Sequence, residues 1–307
     1  MTGNILCIGE AMVELSAAGD LWRLGIAGDT LNTAWYLRGL LGAGWSVGYL
    51  SRVGMGDFSQ RMLDFLHDSG IESLVTRDPA REIGLYAIAL KDGERSFTYW
   101  RDNSAARRLA DDPEGLAQAL SGTGIAYLSG ITLAILPPEG RTALTAALAT
   151  ARARGTRIVF DPNLRPRLWE GAEIMRRTVQ AAAASCDLIL PSLDDESAHF
   201  GDADPQATIA RYLAAGARQV VVKAGGGPVH FGGADGTGIV TDLPRVQPVD
   251  TTAAGDSFNA GYLAARLGGA AIPDAIRRAH ALSLRVIAHP GALVAQALPQ
   301  AMPRAAR

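Results

Sequence analysis

The run Asp250-Thr251-Thr252-Ala253-Ala254-Gly255-Asp256-Ser257-Phe258-Asn259-Ala260-Gly261-Tyr262-Leu263 joins small residues, hydroxyls and a carboxylate, then passes into a helical pattern. Such a loop presents free backbone N–H groups at a helix N-terminus, where they and the helix dipole favour an anion. Small side chains let phosphate oxygens come close to the backbone. Asp256 is expected in the first helical turn, beside that anion, where a carboxylate can take a hydroxyl proton as the oxygen attacks phosphorus. The N–H groups of Ala254, Gly255 and Asp256 would then stabilise charge on the moving phosphoryl group. An isolated Ala-Gly-Asp equally fits a carboxylate that only caps a helix, so the surrounding elements have to decide.

Residues 4–8 are apolar, precede Gly9 and predict a buried first strand. Helical spacing follows over residues 30–41, with Asp29 as the expected N-cap. Strand-like 46–53 leads to helix-like 58–69, which stops at Gly70. Two β-prone runs, 84–90 and 96–101, flank Lys91-Asp92-Gly93-Glu94, and an Asp-Gly pair there signals a hairpin. In its second strand Phe97, Tyr99 and Arg101 share one face. Short strands at 125–128, 157–160, 188–190 and 219–223 alternate with alanine-rich helical stretches such as 141–154 and 207–215. That alternation predicts an α/β fold with a mainly parallel sheet covered by helices on both faces. Ligands of such sheets bind beyond the carboxyl ends of the strands.

The 307 residues are 48% hydrophobic and 20% charged, a soluble globular balance for one large domain. Net charge is -2 and no long basic run occurs, which leaves nucleic-acid binding unsupported. Cys7 and Cys186 lie far apart in apolar runs and are expected as buried, reduced thiols. Neither a signal peptide nor a membrane span is expected, so the cytoplasm is the default compartment. G-x-x-x-x-G-K-[ST], the protein-kinase motif set and a strand-following G-x-G-x-x-G are all absent from the sequence.

The whole run 250–263 resembles the signature of the ribokinase-type (PfkB) carbohydrate kinases, whose Gly-Ala-Gly-Asp turn forms an anion hole with its Asp as catalytic base. Here Ala253 stands in place of the first glycine. A methyl group there is tolerable at negative φ and costly at positive φ. The family's N-terminal glycine motif is matched by Gly25-Ile26-Ala27-Gly28-Asp29-Thr30-Leu31-Asn32-Thr33-Ala34, with Ala27 replacing the first of two glycines. The resemblance implies a single ribokinase-like domain over 1–307 with a β-sheet lid built from about 11–27 and 78–103. It also implies that Gly28 admits a sugar whose hydroxyls bond Asp29 and Asn32.

Within the family the chain is most similar to 2-keto-3-deoxygluconate kinases, through Tyr99-Trp100-Arg101-Asp102-Asn103-Ser104-Ala105-Ala106 and Asp161-Pro162-Asn163-Leu164-Arg165. This implies ATP-dependent phosphorylation of the terminal hydroxyl of a keto-deoxy sugar acid. A carboxylate substrate calls for cations, which Arg101 and Arg165 can supply. Tyr99 and Tyr86 add hydroxyl contacts, and Arg165 could instead serve the phosphate. For ATP, the resemblance implies Asn163, Ser192, Gly255, the loop from Lys223 through Gly225 to Gly227, and the region of His280. It implies Mg²⁺ held through water by Asp195 or Glu196, and K⁺ near Asp250 and Thr252. Exposed lid strands favour a homo-oligomer through the lid. A fructokinase, ribokinase or nucleoside kinase of the same family, and a non-catalytic sugar-sensing protein, are the alternatives.

Overall fold

The computed structural model describes residues 3–91 and 94–299. The Asp92-Gly93 turn expected from the sequence lies outside the described residues. The strands are β1 (Gly3–Ile8), β2 (Met12–Ala18), β3 (Leu21–Ala27), β4 (Trp45–Val53), β5 (Glu72–Arg77), β6 (Gly84–Lys91), β7 (Glu94–Trp100), β8 (Ile125–Ser129), β9 (Arg157–Asp161), β10 (Leu188–Ile189), β11 (Gln219–Val222), β12 (Val229–Gly233) and β13 (Gly238–Val240). The helices are α1 (Asp29–Leu40), α2 (Asp57–Asp68), α3 (Pro113–Leu120), α4 (Gly130–Ile135), α5 (Pro138–Ala153), α6 (Ala172–Ala183), α7 (Leu193–Phe200), α8 (Pro205–Ala215), α9 (Ala254–Leu267) and α10 (Ile272–Ile287).

Among the described residues the large sheet runs β13-β12-β11-β10-β9-β8-β1-β4-β5. It is parallel from β11 to β5, and β12 and β13 add an antiparallel edge. Side-chain alternation splits the strands between two cores. Ile5, Cys7, Val47, Tyr127 and Val221 face α1, α2, α9 and α10. Leu6, Ile8, Leu128, Phe160 and Val222 face α3 to α6 and α8. Both faces are thus buried, as uninterrupted apolar strands require. Cys7 and Cys186 are free and buried, and burial pushes both thiols up.

A second sheet, ordered β3-β2-β6-β7, forms the lid. Its outer pairs are antiparallel and its central β2–β6 pair is parallel. The lid rows are set by register: Gly25, Glu14, Tyr86 and Tyr99 stand side by side across the four strands. Tyr86 packs with Met12 and Ala27 against Ala292 and Ala253, so this face looks onto the start of α9. At the lid root the chain segments touch backbone to backbone. A Cβ on Gly28 would come within 2.3 Å of the Glu10 carbonyl oxygen, so the glycine there serves close strand approach.

Candidate active site

Helix α9 begins at the carboxyl edge of the large sheet without a side-chain cap. The Ala254 N–H is engaged by the Thr251 carbonyl at 3.2 Å, so the donors left at the mouth are those of Gly255 and Asp256. That narrows the expected anion hole by one group. Lys223 supplies a cation there: a Cβ on Gly255 would sit 3.7 Å from its Nζ. Glycine at 255 thus keeps open a small cradle bounded by amide hydrogens and an ammonium, which is fit for phosphate oxygens.

Asp256 projects from the first turn of α9, partly buried. Asn32 Nδ2 donates to its Oδ2 at 2.8 Å. Its carboxyl is pushed up to about 8, first by burial and then by the Asp29 charge; the Asn32 bond opposes this. Asp161 adds to the rise and Lys223 counters it. The Asp29 carboxylate accepts from Asn163 Nδ2 at 2.8 Å. Asn163 has φ of 35°, a left-handed turn that asparagine tolerates, and its N–H closes onto Asp161 Oδ1 at 3.1 Å.

Behind the cradle, Asn259 Nδ2 donates to Asp161 Oδ2 at 2.6 Å and to the Tyr127 hydroxyl at 3.0 Å. Its Oδ1 accepts from Lys223 Nζ at 3.0 Å, and Lys223 lies 3.3 Å from Asp161. Asp29, Asn32, Asn163, Lys223, Gly255 and Asp256 therefore converge from four segments that are distant in sequence.

The match to the family described as pfkB family carbohydrate kinase covers residues 2–298. The chain belongs to this family. The kinase is 40% identical to the 2-dehydro-3-deoxygluconokinase of Escherichia coli K12, covering 99% of this chain and 100% of that one. The Dickeya dadantii 2-dehydro-3-deoxygluconokinase is 38% identical over 95% and 97% of the two chains. Among solved structures, Xylella fastidiosa fructokinase with bound ATP superposes with a TM-score of 0.83 at 25% identity, covering 97% of this chain and 96% of that one.

The other site residues expected from the sequence take the following places in the kinase. Asp29 is the first residue of α1, and Gly28 occupies the cap position. Ala253 has φ of 60°, the costly case for an alanine. Glu196 is fully buried between Arg211 Nη2 (2.6 Å) and the Tyr212 hydroxyl (2.9 Å), and burial pushes its carboxyl up to about 7 against the pull of Arg211. It is committed to tying α7 to α8 and is closed to a water-held metal. Asp195 is the outward acid of that pair, raised by burial, and 3.8 Å from Arg165 Nη1. Arg165 is 52% exposed at its side chain. Ser192 occupies the cap position before α7 and bridges Lys223 through the backbone. Gly225 has φ of 50° and the Gly227 N–H returns to the Ala224 carbonyl, so this loop's glycines also satisfy a tight turn. His280 Nε2 contacts the Pro244 carbonyl at 2.7 Å. Asp250 Oδ1 accepts from the Thr252 N–H and hydroxyl, and its Oδ2 accepts from the Gly291 N–H. Among the described residues no group of three or more His, Cys, Asp or Glu is placed to hold a metal ion.

Three functional candidates escaped the sequence reading. Glu14 accepts from the Tyr86 hydroxyl and, at 3.0 Å, from Ser16 Oγ, which places an acid on the inner lid face. Glu10 is buried against Arg101 at the lid root. Asp161 lies at the end of β9, the position that parallel sheets reserve for function, and that was its available signal.

Two predictions follow from this geometry. Ala253→Gly removes a left-handed alanine and raises stability by about 1 kcal/mol, the relieved strain being partly offset by a freer unfolded chain; urea unfolding measures it, and a loss of stability would contradict the strained backbone. Asp256 holds a proton between pH 4 and 8 that the unfolded chain has released, so its contribution to stability falls as pH rises through that window. Asp256→Asn should therefore match wild type near pH 4 and exceed it increasingly toward pH 8 in denaturation midpoint, whereas a constant difference across that range would refute the raised carboxyl.

Proposed function

We propose that the chain transfers the γ-phosphoryl group of ATP to the terminal hydroxyl of 2-keto-3-deoxygluconate, in the cytoplasm. The observation that carries the reading is Asp256 at the uncapped mouth of α9, beside Lys223 and opposite a lid whose inner face presents Tyr86 and buried Arg101. The sugar-acid substrate rests on relatives named 2-dehydro-3-deoxygluconokinase at 36–40% identity over nearly the full chain. Among the described residues no helix is long and apolar enough to cross a membrane.

Asp256 takes the proton of the attacking hydroxyl. Asn32 holds that carboxylate in place, and Asp29 raises its basicity through like-charge repulsion. The N–H groups of Gly255 and Asp256, with Lys223, hold the negative oxygens of the phosphoryl group. Arg165, exposed on the same edge beside Asp195, adds a second cation. Arg101 receives the carboxylate of the sugar acid. Mg²⁺, when bound, would shield phosphate charge, and Asp195 would hold it through water. The lid folds its inner face over the sugar and keeps water from the phosphoryl group. A second copy of this chain covers the outer lid face, where Trp22 and Trp100 are 50% and 59% exposed.

In an assay of sugar-acid phosphate formation, Asp256→Asn should lower kcat by about 100-fold or more. An unchanged rate rejects Asp256 as the base, and equal turnover of fructose by wild type rejects the sugar-acid assignment. Sedimentation should show a dimer that Trp100→Glu dissociates; a wild-type monomer would remove the lid interface.

A further inference from the structure

Glu10 and Arg101 occupy two of the points where the chain crosses between the large sheet and the lid. Glu10 lies between β1 and β2, and Arg101 directly follows β7. Both are almost completely buried, 2% and 7% exposed. Arg101 Nη2 donates to Glu10 Oε2. The contact is single-pronged. Glu10 Oε1 and Arg101 Nε are both buried with no hydrogen-bond partner among the described residues. Guanidinium and carboxylate ordinarily close as a two-pronged clasp, and a buried charged donor left open is costly. An open N–H on a buried cation is a vacant position for an anionic oxygen.

Glycines line the backbone around the pair. A Cβ on Gly84 would lie 2.8 Å from Glu10 Oε1 and 3.3 Å from the Arg101 Cβ. The Glu10 carbonyl is pressed against Gly28 on the other side. A side chain at either glycine would therefore collide with the pair's own segment, which keeps the lid root close-packed. Arg101 also lies 6.0 Å over the Tyr99 ring, which stacks on Tyr86 at 5.7 Å. Tyr86 in turn packs with the cluster that reaches Ala253. The Arg101 guanidinium therefore borders the same lid face that looks onto the start of α9.

We infer that Glu10 is a positioning residue for substrate selection: it pins Arg101 by one nitrogen and leaves the rest of the guanidinium fork without a protein partner, for the carboxylate of the sugar acid. This rests on the sugar-acid reading given above. Glu10 itself does not touch the substrate. Its charge makes it possible to bury Arg101, and its single-pronged grip leaves part of the fork unspent. A neutral sugar that carries a hydroxymethyl group in place of the carboxylate offers no charge to complete the fork, so selection for the acid is built into the lid root.

The test is a double-mutant cycle on the full-length enzyme with Glu10→Gln, Arg101→Gln and the double variant. The probes are 2-keto-3-deoxygluconate and 3-deoxyfructose, which has hydroxymethyl at the carboxylate position. Glu10→Gln should raise KM for the acid about 10- to 100-fold, the range of one charge-assisted hydrogen bond, with kcat changed much less. For 3-deoxyfructose, kcat/KM should stay within about threefold of wild type, below the change a lost charged contact produces. The double variant should be no worse on the acid than Arg101→Gln alone. If the Gln variant does not fold, Glu10→Asp carries the same test, since it keeps the charge and retracts it by one methylene. Additive effects in the cycle, or equal losses on both sugars, overturn the role of Glu10 while leaving the sugar-acid reading intact. An Arg101→Gln enzyme with unchanged KM for the acid removes the carboxylate contact itself, and the inference with it.

Discussion

Asn259 is the joint on which the site depends. It lies one turn into α9, fully buried, and both its amide hydrogens and its carbonyl oxygen are used. Its partners come from the ends of β9 and β11 and from the middle of β8, and Thr33 of α1 donates to the same Tyr127 hydroxyl at 3.3 Å. A buried amide is tolerated only with its partners in place, and each lost partner costs about 1–3 kcal/mol. That penalty fixes α9 against three strands and one helix. It holds the uncapped first turn at the sheet edge, although an uncapped helix end there contributes nothing to stability by itself. The polar layer thus does for the phosphate cradle what apolar packing does for the rest of the fold.

The lid is held by different physics. Few of its residues reach the core, and its own sheet supplies the order. Register stacks Tyr86, Tyr99 and Phe97 with ring centroids 5.7–6.5 Å apart, a spacing at which aromatic pairs add to simple burial. Glu14 takes the proton-bearing side of the Tyr86 hydroxyl, which leaves that oxygen as an acceptor toward the cleft. An acceptor suits a sugar hydroxyl and does not suit a carboxylate. The inner lid face is therefore divided between a cation at its root and acceptors farther out.

Much of this was legible in the sequence. The strands at 125–128 and 157–160 and the helix over 58–69 are each reproduced to within one or two residues, because both sheet faces and one helix face must be apolar. The run through Gly255 and Asp256 exposed the phosphate cradle because small residues before a helix have few other uses. Strands β2 and β3 were reached only through the family resemblance, since residues 12–27 mix exposed and buried positions without a clean alternation. The left-handed Ala253 was not legible, because a residue's φ is set by the turn it must close. Glu196 and Asp195 were inseparable as neighbours in sequence. Helix geometry turns one into Arg211 and the other outward, and only the packing of α8 decides which.

The electrostatics of the cleft give these pieces one direction. Asp29, Asp161 and Asp256 share a small volume with Lys223 as the cation among them. Burial, and after it the excess of three acids over one base, keeps a proton on Asp256. Such an arrangement opposes stability at neutral pH, and active sites routinely accept that cost. What it secures is a carboxylate of raised basicity, matched to a hydroxyl that an ordinary aspartate deprotonates poorly. Asn259 bonds Asp161 and Lys223 at once and so holds the ammonium between that acid and Gly255. The same amide that anchors the helix thereby also holds two of the charges that act on the base at its tip.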